Sequence, residues 1–265
     1  MRRRHWFELH DQTWFPQVLR DGITECLRLY SAQLHFERVI APVLGNVLRQ
    51  TGHRSIIDIC SGSCGPVVPL QRELAQWGAE TRITVTDKYP NTTAFRRAEA
   101  ASGGAVRGCR DSVDAACVPA ALSGVRTLFN AFHHFRPAAA RAMLKDACDK
   151  GQPIAIFEIT HRSLLRAITT FIGSALMMLL LVPRMRPARL EWWLYTYLIP
   201  VLPLAFGWDG MVSCLRTYTE RDYRALTAGL TPAYSWQYGE AKISGTPLSI
   251  AFFVGVPAHS RLSYI

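Results

Sequence analysis

Short runs of β-branched and aliphatic residues alternate with helical patterns between residues 55 and 160, and this alternation constrains the fold most. Strands are predicted at Ser55–Ile59, Arg82–Thr86, Val106–Gly108, Thr127–Asn130 and Ile154–Ile159. Helices are predicted between them at Val67–Gln76, Thr92–Ala101 and Ala138–Asp149. Such alternation predicts an α/β fold with a mostly parallel sheet and helices on both faces. Ligands of these sheets bind outside the carboxyl ends of the strands.

The segment IIDICSGSCGPVVPL, residues 56–70, contains the first turn from a strand to a helix. Gly62 and Gly65 allow the backbone to approach a ligand closely, and the amides at a helix N-terminus favour its polar or anionic parts. The second strand ends at Asp87, whose carboxylate can accept hydrogen bonds from both hydroxyls of a ribose. The pattern predicts a ligand that carries a nucleoside, either a dinucleotide or S-adenosylmethionine.

Three features separate these two ligands. The G-x-G-x-x-G fingerprint of dinucleotide sites is absent from this turn. Asp58 lies just before the turn, where a carboxylate suits a ligand with a cationic amino group better than it suits a pyrophosphate. Asp114 and Ala115 follow the third strand, where an acid can accept from an adenine amino group. These features favour S-adenosylmethionine, and a nucleotide-dependent oxidoreductase stays as an alternative.

Together these segments resemble the class I, Rossmann-like S-adenosylmethionine-dependent methyltransferases. The matching segments, in the order of the family, are IIDICSGSCG, ITVTDKYP, VDAACVP and TLFNAFHHF. The sequence departs from the family pattern at Cys60 and Cys64, which stand at two of the glycine positions of the first motif. The residues that the resemblance assigns to the co-substrate are Asp58, Cys60, Ser61, Gly62, Gly65, Asp87, Lys88, Asp114, Ala115 and Asn130.

His133 and His134 follow the fourth strand, and the resemblance puts them beside the methyl donor. A histidine there is a candidate general base for an oxygen or nitrogen nucleophile, and a purely structural role in the loop is the alternative. Asn130 ends the fourth strand and is a candidate to bind co-substrate or substrate. Glu158, at the end of the fifth strand, either orients a substrate group or pairs with an arginine.

Two uncharged apolar runs follow, in the stretch from Leu164 to Val182 and at Trp192–Trp208, with Arg184, Arg186 and Arg189 between them. Each run is slightly short for a membrane-spanning helix. A spanning hairpin would also carry the arginine loop across the bilayer, which conflicts with the retention of such loops in the cytoplasm. Two alternatives remain open: a hairpin that lies on an anionic membrane surface, and a helical cap over an apolar substrate pocket.

The remaining sequence completes the predicted architecture. The segments YSWQYGEAKI and LSIAFFVGVP predict two strands around the turn SGTP, the last of them antiparallel. The prediction is a seven-stranded Rossmann-like sheet within one sheet-based domain, with the hydrophobic helical insert after the fifth strand. Its four segments are an N-terminal helical segment (1–54) that covers the active site, the co-substrate core (55–160), the insert (161–232) and the C-terminal hairpin (233–265). A break at Pro42 is expected to divide the N-terminal helical stretch.

Composition narrows the environment and the partners. The net charge is +10, but the arginines are scattered and form no run interleaved with aromatic residues, which argues against nucleic acid. Arg2–Arg4 precede no apolar run, so no secretory signal is expected. The seven cysteines form no C-x-x-C pair and predict reduced thiols, and no metal is expected because Cys60 and Cys64 lack a second ligand pair nearby. We therefore expect a cytoplasmic protein, with membrane association and a homo-oligomer left open.

The predicted function is transfer of a methyl group from S-adenosylmethionine to an apolar or amphipathic small-molecule or lipid-like acceptor. The sequence does not distinguish O-, N-, S- and C-methylation. A non-catalytic protein that uses the same fold as a scaffold or membrane adaptor is the other alternative.

Overall fold

A seven-stranded sheet forms the centre of the computed structural model, which describes residues 1–78, 80–231 and 233–258. The strands are β1 (Ser55–Asp58), β2 (Arg82–Asp87), β3 (Val106–Ser112), β4 (Val125–Phe129), β5 (Ile154–Glu158), β6 (Tyr234–Lys242) and β7 (Ser249–Pro257). Their order is β3-β2-β1-β4-β5-β7-β6. Strands β1 to β5 are parallel to one another, whereas β7 is antiparallel to both β5 and β6. The predicted fold class is therefore confirmed.

Helices precede, separate and follow the strands along the chain. The helices are α1 (Gln17–Gln33), α2 (Phe36–Thr51), α3 (Val67–Gln76), α4 (Thr92–Ala101), α5 (Pro137–Asp149), α6 (Leu164–Leu181), α7 (Leu190–Trp193), α8 (Val201–Arg216) and α9 (Glu220–Thr227). Local sequence signals fix where two of these helices begin. Asn91 Oδ1 accepts from the Ala94 N–H and caps α4, and Pro137 occupies the first turn of α5. The predicted bounds of α3 and α4 agree with the structure.

The chain forms two compact units, which corrects the expectation of one sheet-based domain. Unit 1 contains residues 1–34 and 160–219, and unit 2 contains residues 35–159 with the chain from 220 onward. The sheet and α2 to α5 lie in unit 2, together with α9. Helix α2 belongs there because it packs on α3 and β7. The bounds of the two units differ from those of the four predicted segments. Residues 79, 232 and 259–265 of those segments lie outside the described residues.

The predicted break at Pro42 is wrong. Pro42 lies inside α2, and the chain breaks instead at Leu34 and His35, where His35 adopts a left-handed backbone with φ 48°. An interior proline removes one helical hydrogen bond and costs about 3 kcal/mol. Helix α2 tolerates it because its apolar face is buried, including Ile40 and Leu44 on either side of the proline.

Unit 1 is helical, and its helices α6 and α8 pack side by side. Gly207 and Gly210 of α8 permit this close approach: an added Cβ would lie 2.8 Å from the Phe171 carbonyl oxygen and 2.9 Å from Ser174 Oγ, respectively. Residues Leu164–Arg184 are long and apolar enough to cross a membrane. The segments Leu190–Leu198 and Val201–Arg216 are long and apolar enough only when they are taken together, and they are bent by 78° relative to each other.

Candidate functional site

The turn between β1 and α3 has an unusual backbone. Cys60, Gly62 and Cys64 all adopt left-handed conformations, with φ of 60°, 49° and 65°. This region is easy for glycine and costs roughly 1–2 kcal/mol for a residue with a side chain. Cys60 and Cys64, which stand at glycine positions of the pattern that the sequence resembles, therefore both adopt the backbone region that glycine enters most easily.

The turn leaves open space beside its glycines. A Cβ added to Gly62 or Gly65 would meet no heavy atom within 4 Å. Helix α3 starts immediately after the turn, at Val67, so its N-terminal amides face the same region. The turn thus combines a close backbone approach with unfilled space, as a ligand-binding loop requires.

Asp87, at the end of β2, fastens this turn. Its Oδ2 accepts from the Gly62 N–H at 2.9 Å, and its Oδ1 accepts from the Tyr89 N–H at 2.8 Å. The Asp87 carbonyl also accepts from the Val113 N–H, which ties β2 to the chain after β3. A carboxylate has about four acceptor positions, so two remain for a ligand. Asp87 is half-buried and lies at the carboxyl edge of the sheet.

Asp58 is buried under the turn. Thr127 Oγ1 donates to Asp58 Oδ1 at 2.9 Å, and the hydroxyls of Ser61 and Thr86 both donate to the Asp58 carbonyl. Burial raises the pKa of the Asp58 carboxyl to about 7, and the nearby charge of Asp87 acts in the same direction. A cationic group bound beside it would remove this unfavourable burial of negative charge.

The pKa of Asp58 predicts opposite pH dependences for stability and binding. Its folded pKa lies above its unfolded value, so the protein without ligand should lose stability as pH rises from about 4 to about 7. Binding of S-adenosylhomocysteine should instead weaken below pH 7, by up to about tenfold per unit, because protonation removes the charge that attracts its ammonium group. Calorimetric titration and thermal unfolding across this range measure both.

The matching control is Asp58→Asn, which should bind the ligand weakly with a flat pH profile. Burial also raises the pKa of Asp209 to about 7, so Asp209 changes the stability over the same pH range. The difference between the wild type and Asp58→Asn gives the part of the stability change that Asp58 causes. A wild-type affinity that is constant between pH 5 and 8 would contradict a role for the Asp58 charge.

Asp114 is a second acid at the same edge of the sheet, and it pairs with Lys88. Lys88 Nζ lies 2.9 Å from Asp114 Oδ2, and Asp114 Oδ1 accepts from the Ala116 N–H in a tight turn. The hydrogen bond from Lys88 lowers the pKa of Asp114. Ala115, the residue after Asp114, is buried. The structure thus brings Asp114 and Lys88 together, one strand away from the turn that contains Gly62.

Asn130 ends β4 in a left-handed conformation and joins β4 to β5. Its N–H donates to the Phe157 carbonyl, and its Oδ1 accepts from the Ile159 N–H, both at 2.8 Å. Asn130 also lines a small cavity of about 10 Å³, which is about the space that one water molecule needs. The other lining residues are apolar: Phe36, Ile40, Pro66, Phe129, Phe157, Ile159 and Ile250.

His133 and Glu158 form a buried pair at the ends of β4 and β5. His133 Nδ1 lies 2.7 Å from Glu158 Oε2, and the His133 N–H donates to Glu158 Oε1 at 3.1 Å. Both side chains are less than 5% exposed. A carboxylate next to Nδ1 favours the proton on that nitrogen and leaves Nε2 as the basic atom. The His134 ring lies 4.3 Å from the His133 ring, measured between centroids.

Removing Glu158 should destabilise this part of the sheet. Glu158→Ala leaves two buried donors of His133 without their acceptor, which is expected to cost about 2 kcal/mol or more. Glu158→Gln keeps an acceptor and should cost less. Urea denaturation of both variants compares the free energies of unfolding, and an unchanged midpoint for Glu158→Ala would show that the pair contributes nothing.

Sequence reasoning missed the two threonines that bond to Asp58, and it assigned Ser61 to the co-substrate, whereas the Ser61 hydroxyl donates to the Asp58 carbonyl. Thr86 and Thr127 are fully buried within strands, and Ser61 is also buried. The signal was present as a polar residue within each apolar strand pattern, in ITVTD and VRTLF. Buried polar side chains are usually hydrogen-bonded, so such positions mark networks.

Comparison with known proteins supports the fold. No protein-family model and no curated protein sequence matches the chain. The plantazolicin methyltransferase BpumL in complex with SAH is 10% identical, with a TM-score of 0.57 and 94% of both chains covered. Its complex with SAH and a monoazolic desmethylPZN analog is also 10% identical, with a TM-score of 0.54 and 93% of both chains covered.

An O-methyltransferase family protein from Burkholderia thailandensis is 15% identical, with a TM-score of 0.49. The match covers 86% of this chain but only 57% of that protein. The likeness to BpumL and the seven-stranded, mostly parallel sheet show that this chain has the Rossmann-like fold of the class I S-adenosylmethionine-dependent methyltransferases.

Proposed function

We propose that the protein transfers a methyl group from S-adenosylmethionine to an apolar or amphipathic small molecule. The observation that carries this proposal is the hydrogen-bonded join between the turn at Gly62 and the acid at Asp87, above buried Asp58. It presents a glycine backbone, a carboxylate with unused acceptor positions and a buried acid at one edge of the sheet.

These residues fit the chemical parts of S-adenosylmethionine. Asp87 would accept from the ribose hydroxyls, and Asp114 would accept from the adenine amino group. The open space beside Gly62 and Gly65 admits the methionine portion, and Asp58 supplies negative charge for its ammonium group. The bound SAH of BpumL supports the same co-substrate for a chain of this fold.

Apolar residues surround Asn130 at the carboxyl edge of the sheet, and such a surface favours contact with an apolar acceptor. The cavity itself, of about 10 Å³, holds no more than one water molecule, so an acceptor would lie against its mouth. Since a sulfonium methyl group is already activated, the protein mainly has to position the acceptor and exclude water.

His133 is the candidate general base within this proposal. The Glu158 carboxylate holds its ring and sets its tautomer, so that Nε2 can take a proton from an acceptor hydroxyl or amine. Such assistance is needed only when the nucleophile begins protonated. His134 packs against His133 and is the second candidate.

Ligand binding by the purified protein tests the proposal. S-adenosylhomocysteine should bind and raise the unfolding temperature, whereas NADH should do neither, and mass spectrometry should detect donor or product retained through purification. Binding of NADH alone would favour the oxidoreductase alternative. Binding of neither compound at millimolar concentration would favour the non-catalytic scaffold.

A further inference from the structure

Exposed apolar side chains are concentrated in unit 1. Among the described residues, thirteen of the twenty exposed large hydrophobic side chains lie between residues 164 and 204. On α6 they form one stripe at helical spacing, with exposed fractions of 50–71%: Leu165, Ile168, Ile172, Leu176 and Leu180. Soluble monomers rarely expose contiguous apolar patches larger than a few hundred Å². A stripe along a whole helix therefore indicates a surface that another phase or molecule covers.

The segment 190–199 extends this stripe. Leu190 and Leu198 are 82% and 76% exposed, and Trp193 is 42% exposed. Tyr197 Oη donates to the Leu179 carbonyl at 2.6 Å, which fastens this segment to α6. The stripe on α6 and the segment 190–199 together are called the apolar face.

The opposite side of α6 is already packed. Met178 and Leu181 are buried in a core with residues of α1 and α8. Near the middle of α8, the carboxylate of buried Asp209 accepts from the backbone N–H groups of Leu9 and His10. A hairpin that spans a bilayer would carry this polar cluster into hydrocarbon, at a high cost. The apolar face therefore suits contact along the membrane plane better than insertion across it.

The charge around the apolar face is positive. Residues 160–219 contain six arginines and no lysine, but Arg216 is buried and paired with Glu8 and Asp11, so it adds no charge to the apolar face. Exposed Arg184 and Arg186 follow α6 and donate to backbone carbonyls at its end. Arg189 pairs instead with Asp21 at 3.0 Å, which reduces the three arginines suggested by the sequence to two. Glu191, an exposed acid, lies in the same segment.

We propose that the apolar face docks in the plane of an anionic membrane surface, with Arg184 and Arg186 at the lipid headgroups. Burial of aliphatic and aromatic side chains supplies the affinity, and the arginines supply the preference for anionic lipid. This docking is independent of the proposed methyl transfer, since none of its residues belongs to the co-substrate site.

Vesicle sedimentation of the full chain tests the charge preference. The protein should bind vesicles that contain phosphatidylglycerol more tightly than vesicles of phosphatidylcholine, and added salt should reduce the difference. Arg184→Gln with Arg186→Gln should weaken binding to anionic vesicles by about fivefold per arginine at low ionic strength. The charge-matched control, Arg96→Gln with Arg97→Gln on α4, should bind as the wild type does.

A second pair of variants tests the apolar face. Leu176→Ser and Leu180→Ser should each weaken binding to both kinds of vesicle by about tenfold or more. Leu27→Ser, at a position on α1 that is 47% exposed, is the control and should bind normally. All variants should bind S-adenosylhomocysteine as the wild type does, so failure of docking and failure of the proposed function are distinguishable.

Three outcomes would overturn the docking proposal. One is a dimer in light scattering that dissociates in Leu176→Ser and ignores vesicles, which would assign the face to a second copy of the chain. Another is a monomer that binds no vesicles. The third is equal binding to neutral and anionic vesicles that is unchanged in the arginine variant.

Discussion

Asp87→Ala is expected to weaken the binding of S-adenosylhomocysteine by a hundredfold or more. The substitution removes two charge-assisted hydrogen bonds to the ribose, each worth about 1.5–3 kcal/mol. It also releases the Gly62 and Tyr89 amides, so the turn loses the acceptor that fastens it to β2. Both effects act on affinity in the same direction, and calorimetric titration measures their sum.

The control for charge is Asp111→Ala, which removes an exposed acid from β3 and should leave affinity unchanged. Asp87→Asn retains the shape and one acceptor, so its loss should be intermediate. The fold should survive in all three variants, because Asp87 lies at the carboxyl end of β2 and is only half-buried, and Asp111 is exposed. If Asp87→Ala bound the ligand with wild-type affinity, Asp87 would not be a ligand-binding residue.

Gly62→Val is expected to reduce the same affinity by about a hundredfold. A branched side chain would occupy the open space beside the turn, where the methionine portion of the ligand is proposed to lie. It would also strain a residue with φ 49°. The free energy of unfolding should fall by roughly 1–2 kcal/mol from this strain alone.

Gly103→Val separates strain from obstruction. Gly103 has φ 61° and likewise has no heavy atom within 4 Å of an added Cβ, but it lies at the end of α4. The two variants should lose similar stability, measured by denaturation, and only Gly62→Val should lose affinity. Equal affinity in Gly62→Val and Gly103→Val would mean that the turn at Gly62 does not contact the ligand.

Local patterns explain why much of the fold could be predicted. The bounds of α3 and α4 agree with the sequence prediction because apolar periodicity, a following glycine and the Asn91 cap all act within a few residues. Strand β3 extends to Ser112, beyond the predicted Gly108, because its continuation is polar and exposed. Pairing with β2, which places Ser112 opposite Asp87, stabilises a strand that local propensity does not mark.

Contacts between distant residues account for what could not be predicted. His133 and Glu158 were each identified as candidates, but nothing local pairs residues 25 positions apart. Arg189 and Asp21 are 168 positions apart, and only the packing of α1 beside α7 brings them together. The division into two units depends on the same long-range packing, since α1 and α6 share one core.

The discontinuity of unit 1 has a consequence for synthesis on the ribosome. The apolar residues of α1, among them Leu19 and Ile23, are covered by partners such as Met178 and Leu202. These partners follow about 155 to 183 residues later, and at roughly 5–20 residues per second they emerge about 8–37 s after α1. Throughout that interval the nascent chain presents an uncovered amphipathic helix while β1 to β5 are being made. Newly made α1 is therefore a natural chaperone client, and chains arrested before residue 164 should aggregate.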